Sequence, residues 1–366
     1  MNIRRSLVLV LVAMLTATGS FAADEAELAA LARSIHERVL TLDTHVDIPL
    51  NFATSEFIPS TAVAQVNLQN MREGGLDAAF FIVYTGQTPR NDTGYAGAKA
   101  DAAAKFSAIH RMVDLQNDGH IALATTAEEV RRLHAQGKLV ALIGMENGYV
   151  IGEDLGLLQQ YREQGARYLT LVHNGHNDIG DSAQPQARLA DVQEEHGGLS
   201  DFGRQVIQEL NRLGIVVDIS HVSRQTMLDA TSLSAAPVIA SHSGVKAVFD
   251  HPRNLDDEQL QLLKRNGGVV QLVAFDAYLK QGGGATVSDF VDHIDHAVES
   301  IGIDHVGISS DFGGGGGVQG WSNAGETFNV TLELVRRGYS EADIDKIWSG
   351  NTLRILEAAE KAASWP

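Results

Sequence analysis

The chain has no cysteine among its 366 residues. Disulfides, thiolate metal ligands, a cysteine nucleophile and a lipid-bearing cysteine behind a leader are thereby excluded. Positive charge is also scarce: 28 Lys and Arg stand against 46 Asp and Glu, a formal charge of −18. This argues against nucleic acid as a partner and describes an acidic, well-solvated exterior. With 7 prolines, no Pro-rich or Ser-rich linker divides the chain. No phosphate-binding glycine pattern opens a helix after a first strand, and no internal repeat is apparent. Beyond the N-terminus no stretch is apolar enough to span a membrane, a task that needs ~20 residues. At 44% hydrophobic and 20% charged residues, what remains is a soluble globular chain with a substantial core.

The N-terminus is a separate piece. Arg4 and Arg5 precede an apolar stretch from about Leu7 to Leu15, and Ser20-Phe21-Ala22 puts small residues at the −3 and −1 positions of a cleavage site. This is the pattern of a secretory signal peptide over residues 1–22, with cleavage after Ala22. The apolar stretch is too short for an uncleaved anchor. The expectation is an exported protein, periplasmic or secreted, with no stable membrane anchor after cleavage. The mature chain, 23–366, loses two arginines and no acid, so its formal charge moves to −20.

In the mature chain apolar β-type runs alternate with amphipathic helical patterns. Strands are expected near 39–44, 76–84, 138–145, 167–173, 214–220, 236–241, 267–275 and 304–310. Helices are expected near 65–74, 94–117, 154–164, 200–213, 223–232, 256–266, 287–301 and 327–338, with a last one over 340–362 that Asn351 is placed to cap. Eight βα alternations without a linker predict one domain, a (β/α)₈ barrel of the TIM type. A doubly wound open sheet is the alternative that alternation alone leaves standing. Gly214 is expected to end its helix in a left-handed cap. The glycine tracts 282–284 and 313–317 fall in loops, the second as a mobile segment over the barrel mouth.

Five strand-like runs end in a group that can bind metal or carry a proton: His45 and Asp47, then Glu146, His221, His242 and Asp311. A lone His at a strand end is more often a hydrogen-bonded core residue than a ligand. Recurrence at successive strand ends is what a barrel enzyme needs, since closure brings those ends to one mouth. His45 and Asp47 can approach one metal, and Glu146 can bridge to a second completed by His221 and His242. Imidazole with carboxylate suits Zn²⁺ or a similar borderline ion, whereas Ca²⁺ and Mg²⁺ prefer oxygen shells. Two such ions ~3.5 Å apart make a hydrolytic design. Asp311 reads as the proton carrier, or as a further ligand or loop cap. His173, at the end of Arg167-Tyr168-Leu169-Thr170-Leu171-Val172, reads as a donor to an oxyanion or as a structural histidine. Arg253 reads as the receiver of a substrate carboxylate or as half of an ordinary salt bridge.

Seven ordered segments resemble one family. They are Leu42-Asp43-Thr44-His45-Val46-Asp47-Ile48-Pro49, Ile143-Gly144-Met145-Glu146, Arg167 to Asn174, Gly197-Gly198-Leu199-Ser200-Asp201-Phe202-Gly203, Asp218-Ile219-Ser220-His221-Val222-Ser223, Pro237-Val238-Ile239-Ala240-Ser241-His242-Ser243, and Val306-Gly307-Ile308-Ser309-Ser310-Asp311-Phe312. Together they resemble the membrane (renal) dipeptidase family of zinc metallopeptidases, in order from about 39 to 357. The resemblance implies a barrel with two Zn²⁺ bridged by Glu146, one held with His45 and Asp47 and the other with His221 and His242. It also implies a dipeptide substrate, His173 on the scissile carbonyl, Arg253 on the C-terminal carboxylate and Asp311 handling protons. Bacterial relatives often accept a D-residue at the C-terminal position, and many relatives are homodimers.

The chain departs from the family in places. Where relatives commonly continue past the histidine through Cys-Asn and a Pro-Trp pair, this chain has Asn174-Gly175-His176-Asn177-Asp178-Ile179-Gly180-Asp181. Phe275 stands where a tyrosine is often found, removing one hydroxyl. The vertebrate disulfides and lipid anchor have no counterpart. Every expected ligand is retained, which points to altered side-chain preference. The rivals are a related metal-dependent amide hydrolase acting on a lactam, an N-acyl amino acid or a peptide natural product, and a non-catalytic peptide-binding barrel. Against the first, barrels of the amidohydrolase type show His-x-His where this chain has His45-x-Asp47. Against the second, no candidate ligand or proton carrier has been lost.

Overall fold

The computed structural model describes residues 25–115 and 120–364, so the expected leader lies outside the described residues. Its centre is a parallel sheet of β1 (Leu42–Asp47), β2 (Ala78–Tyr84), β3 (Ile121–Leu123), β4 (Leu139–Glu146), β5 (Ala166–Thr170), β6 (Val216–Asp218), β7 (Ile239–Ser243), β8 (Val269–Val273) and β9 (Val306–Ser309). Eight strands follow the order β1-β2-β4-β5-β6-β7-β8-β9, and the three-residue β3 pairs only with β4. The ring is nearly closed. At the seam Val46 bridges to Phe312, the Asp47 N–H donates to the Phe312 carbonyl at 2.8 Å, and the Ser310 N–H donates to Asp43 Oδ1 at 2.9 Å. This is the (β/α)₈ barrel expected from the alternation, and it excludes the open doubly wound sheet.

Strand β3 and the helix Ala127–His134 were not among the expected elements. Both are short, and their apolar residues are too few to show a period. The helix is set by its ends: Thr126 accepts from the Glu129 N–H, and Val130 and Leu133 are buried beneath it. The helices elsewhere pack an apolar stripe on the outer face of the strands. In Asp201–Leu213 the stripe is Val206, Ile207, Leu210 and Leu213, and Gly214 ends it at φ 67°, as expected. Each such buried aliphatic side chain contributes roughly 1.5–3 kcal/mol. Inside the ring a second set packs, including Leu42, Phe80, Leu142, Tyr168, Val216 and Val269, with Leu353 and Leu356 of the last helix against it.

The last helical region corrects one expectation. It comprises Glu341–Asp345, a π-helical turn Lys346–Gly350 and Asn351–Ala362, so Asn351 lies inside and caps nothing. Its amide instead donates to the carbonyls of Ile303 and Val306 at 2.7 and 2.8 Å, fastening the helix to the start of β9. Ser340 is the cap, in a reciprocal box with Asp343.

Candidate active site

The strand ends gather His45, Asp47, Glu146, His173, His221, His242 and Asp311 around one cavity of about 650 Å³, of which all but His45 form the wall. His45 points up from within β1, and Asp47 ends that strand. Glu146 ends β4, His242 lies in β7, and His221 and Asp311 follow β6 and β9. Two of these positions are backbone-strained: His221 at φ 66° and Asp311 at φ 56° occupy the left-handed region that side chains normally avoid. Such strain is held in place where it aims a functional group.

Hydrogen bonds on the far ring nitrogens fix how the imidazoles face the cavity. The Tyr168 hydroxyl donates to the Thr44 carbonyl at 3.0 Å, so it accepts from the Nδ1–H of His45, also at 3.0 Å. Ser241 donates to Asp218 at 2.6 Å and accepts from His242 Nδ1–H at 2.8 Å. Asn174 Oδ1 accepts from His221 Nδ1–H at 3.2 Å. In each ring Nε2 is therefore the nitrogen aimed inward, and in His221 and His242, which burial keeps neutral, it is a lone pair. His45 Nε2 is buried without a hydrogen bond, 3.5 Å from both Asp47 Oδ2 and Glu146 Oε2. His221 Nε2 and His242 Nε2 sit 2.8 Å apart and lie 3.1 and 3.3 Å from Glu146 Oε1. Lone pairs facing lone pairs and carboxylates repel unless a cation lies among them. The donor set of nitrogen and carboxylate oxygen fits a borderline divalent ion. Three groups have ligand atoms within 4.8 Å of one another: His45, Glu146 and His242; Glu146, His173 and His221; His45, Asp47 and Asp311.

The electrostatics carry the same message. Burial disfavours a charged His45, but the Glu146 and Asp47 carboxylates outweigh it and hold its pKa well above the ordinary value. Burial pushes His221 and His242 well below theirs, helped by neighbouring positive charge. Asp311 is held well above the usual carboxylate range, first by burial and then by the charges of Asp47 and Glu146, against the pull of His45. His173 is lowered, chiefly by burial, and so stands neutral with an N–H to give. Its ring lies 4.1 Å from that of His221 and 4.9 Å from that of Tyr84, with Nε2 3.8 Å from Glu146 Oε1.

Arg253 takes a different place. It is buried behind His221 and His242, donating to the His242 carbonyl at 3.0 Å, with its Nε unpartnered. It lines a small cavity of about 60 Å³, while Tyr278, 5.4 Å below its guanidinium, forms the wall of the main one. Phe275 stacks on Tyr278 at 4.3 Å in that wall. Gly313 and Gly314 of the glycine tract line the cavity too, and the tract is hydrogen-bonded through Gly313 to Gln65 and through Gly314 and Gly316 to the Asp311 carbonyl. A Cβ on Gly314 would stand 2.4 Å from Asp311 Oδ1 and 2.5 Å from Asp47 Oδ2, so the backbone approaches these carboxylates as only glycine can. Gly144 has a similar reason: a Cβ there would meet the Tyr168 ring at 2.2 Å.

Several contributors carried no signal by residue type alone. Tyr168 and Ser241 were inside the matched segments without a role, Asn174 lies in the divergent 174–181 segment, and Lys105 and Tyr84 of the cavity wall come from a helix and from the end of β2.

A barrel with such a centre defines the class of metal-dependent hydrolases. Residues 29–365 match the family model of membrane dipeptidase, peptidase family M19, and the chain belongs to that family. It is a metallodipeptidase, a hydrolase of peptide bonds. Dipeptidase tcpJ of Claviceps purpurea is 34% identical over 316 residues, covering 84% of this chain and 72% of that protein. The probable dipeptidase PvdM of Pseudomonas aeruginosa superimposes with a TM-score of 0.89 at 31% identity, over 92% of this chain and 99% of that one. A metallo peptidase of Rhodobacter sphaeroides, liganded with a phosphinate mimic of L-Ala-D-Ala, gives a TM-score of 0.78 at 26% identity, over 88% and 99%.

Proposed function

We propose that this protein is an exported dipeptidase that works with two zinc ions bridged by Glu146. His45 and Asp47 would hold one ion with Glu146, and His221 and His242 the other. The observation that carries the reading is the inward orientation of three Nε2 atoms around Glu146, each set by a hydrogen bond on the opposite nitrogen. When bound, the ions supply a hydroxide nucleophile at neutral pH and polarise the scissile carbonyl.

The chain's own groups then divide the work. Neutral His173 donates its N–H to the oxygen of the tetrahedral intermediate. Asp311, buried beside Asp47, takes the proton of the attacking water and passes it to the departing amine. Arg253 receives the C-terminal carboxylate and so limits the substrate to two residues. The phosphinate mimic of L-Ala-D-Ala held by the Rhodobacter relative supports including dipeptides with a C-terminal D-residue. Export rests on the residue 1–22 pattern, and a homodimer on the resemblance.

The test is a panel of paired L-L and L-D dipeptides against protein of measured metal content. Hydrolysis with about two zinc ions per chain is expected; fully loaded protein that turns over no dipeptide overturns the reading. N-terminal sequencing of the protein from the periplasm or medium should begin at Ala23.

A further inference from the structure

Among the described residues that line the main cavity, Lys105 is the only lysine or arginine. It lies on the helix Asp92–Leu115 and is 6% exposed. Among the described residues its ammonium has no ion pair and no hydrogen bond. Asp101, one turn earlier on the same helix, does not reach it, and its close neighbour is the Tyr84 ring, with Nζ 5.3 Å from the centroid. Burial lowers its pKa, against the charges of Asp47, Glu146 and Asp101. Asp47 and Glu146 are taken up by the metal centre in the reading above, so they leave the ammonium without a counterion of its own. A buried charge without a partner is costly, and a cavity-facing one is satisfied by an anion that enters.

The surroundings restrict what that anion belongs to. Phe52, Phe81 and Tyr84 line the same cavity, a setting for an apolar stem that ends in charge. Tyr84 ends β2, whereas Arg253 follows β7, and in the ring order these strands are four places apart out of eight. Lys105 thus lies on the side of the ligand cluster opposite the strand that Arg253 follows, with Arg253 itself set back behind His221 and His242. A dipeptide whose C-terminal carboxylate faces Arg253 directs its N-terminal residue toward Lys105.

We propose that Lys105 is a specificity-determining residue that recognises a side-chain carboxylate on the N-terminal residue, making acidic-first dipeptides the preferred substrates. This rests on the dipeptidase reading. The wild-type zinc-loaded protein should be assayed with Glu-Ala, Gln-Ala and Met-Ala, alongside Lys105→Met and Lys105→Arg, with metal content and thermal unfolding followed in each. A charge-assisted hydrogen bond predicts kcat/KM for Glu-Ala about 10- to 100-fold above Gln-Ala and Met-Ala. Lys105→Met should erase that margin, keep Met-Ala turnover and both metals, and weaken competitive inhibition by L-glutamate but not by L-methionine; Lys105→Arg should restore part of it.

Equal wild-type rates for Glu-Ala and Gln-Ala overturn the proposal even if the variants do not fold. A Lys105→Met variant that loses all three substrates equally also overturns it, because the lysine then serves the carboxylate common to every dipeptide. Absence of turnover on all substrates sinks the dipeptidase reading itself, a separate outcome.

Discussion

Two kinds of buried histidine occur in this molecule. His36 and His293, in the helical shell, have both ring nitrogens satisfied by the chain. His36 bonds Thr331 and the Gly74 carbonyl, while His293 accepts from the Val245 N–H and donates to the Leu279 carbonyl. At the barrel mouth His45, His221 and His242 have one nitrogen satisfied and the other aimed at acceptors or at another lone pair. Burial is nearly the same in the two places. The difference in partners separates a histidine that completes a fold from one that awaits a cation.

The largest break in that contrast should come from His242→Ala. It removes one of the lone pairs around Glu146, and the expected outcome is loss of metal measured by elemental analysis, with turnover near background. Next is Asp311→Asn, expected to lower kcat by about 10²–10⁴-fold while metal content holds, since a general acid or base contributes that much. Metal loss in this variant would make Asp311 a ligand, and full activity would remove it from the chemistry. Tyr168→Phe takes away the acceptor on His45 Nδ1 together with the donor to the Thr44 carbonyl, and metal affinity by competition with a chelator should fall about 10- to 100-fold.

The shell histidines sharpen the contrast from the other side. Burial depresses the pKa of both His36 and His293. Below the unfolded value of about 6.5 the unfolded chain binds protons that the native state refuses. Their contribution to stability is therefore intact above pH 6.5 and is lost as pH falls below it, by at most ~1.4 kcal/mol per pH unit for each group. Unfolding of metal-free protein at pH 7.5 and 5.5 measures the slope, and His293→Gln should flatten it without touching metal content. A slope unchanged by that substitution would remove His293 from the account. The smallest effect is a control on the helix that carries Lys105: Gly97 is exposed, with nothing within 4 Å of an added Cβ, so Gly97→Ala should stabilise the protein by about 0.5–1 kcal/mol.

Much of this site was legible before folding because the chemistry is tied to strand ends. An apolar run followed by His, Glu or Asp marks both the strand and the group, and His45, Asp47, Glu146, His221, His242 and Asp311 all fall there. His173, like His221, sits three residues past its strand, because β5 stops at Thr170 and β6 at Asp218. Arg253 follows β7 as its position predicts, yet its direction, behind His242 and beside Tyr278, depends on how the loop packs. Asn351 looked like a cap because asparagine often is one. Two carbonyls near β9, remote in sequence, claimed its amide instead.

By itself the sequence determined the alternation of eight strands with helices, the absence of thiol chemistry, and which residue types stand at the strand ends. These follow from local periodicity and composition, which need no partner. Only the tertiary structure decided which nitrogen of each histidine faces the cavity, why Gly144 and Gly314 bear no side chain, and that Lys105 meets the cavity from a helix without a counterion. Each of these is a relation between groups far apart in the chain. Closure of the barrel is what brings them within hydrogen-bonding or van der Waals reach.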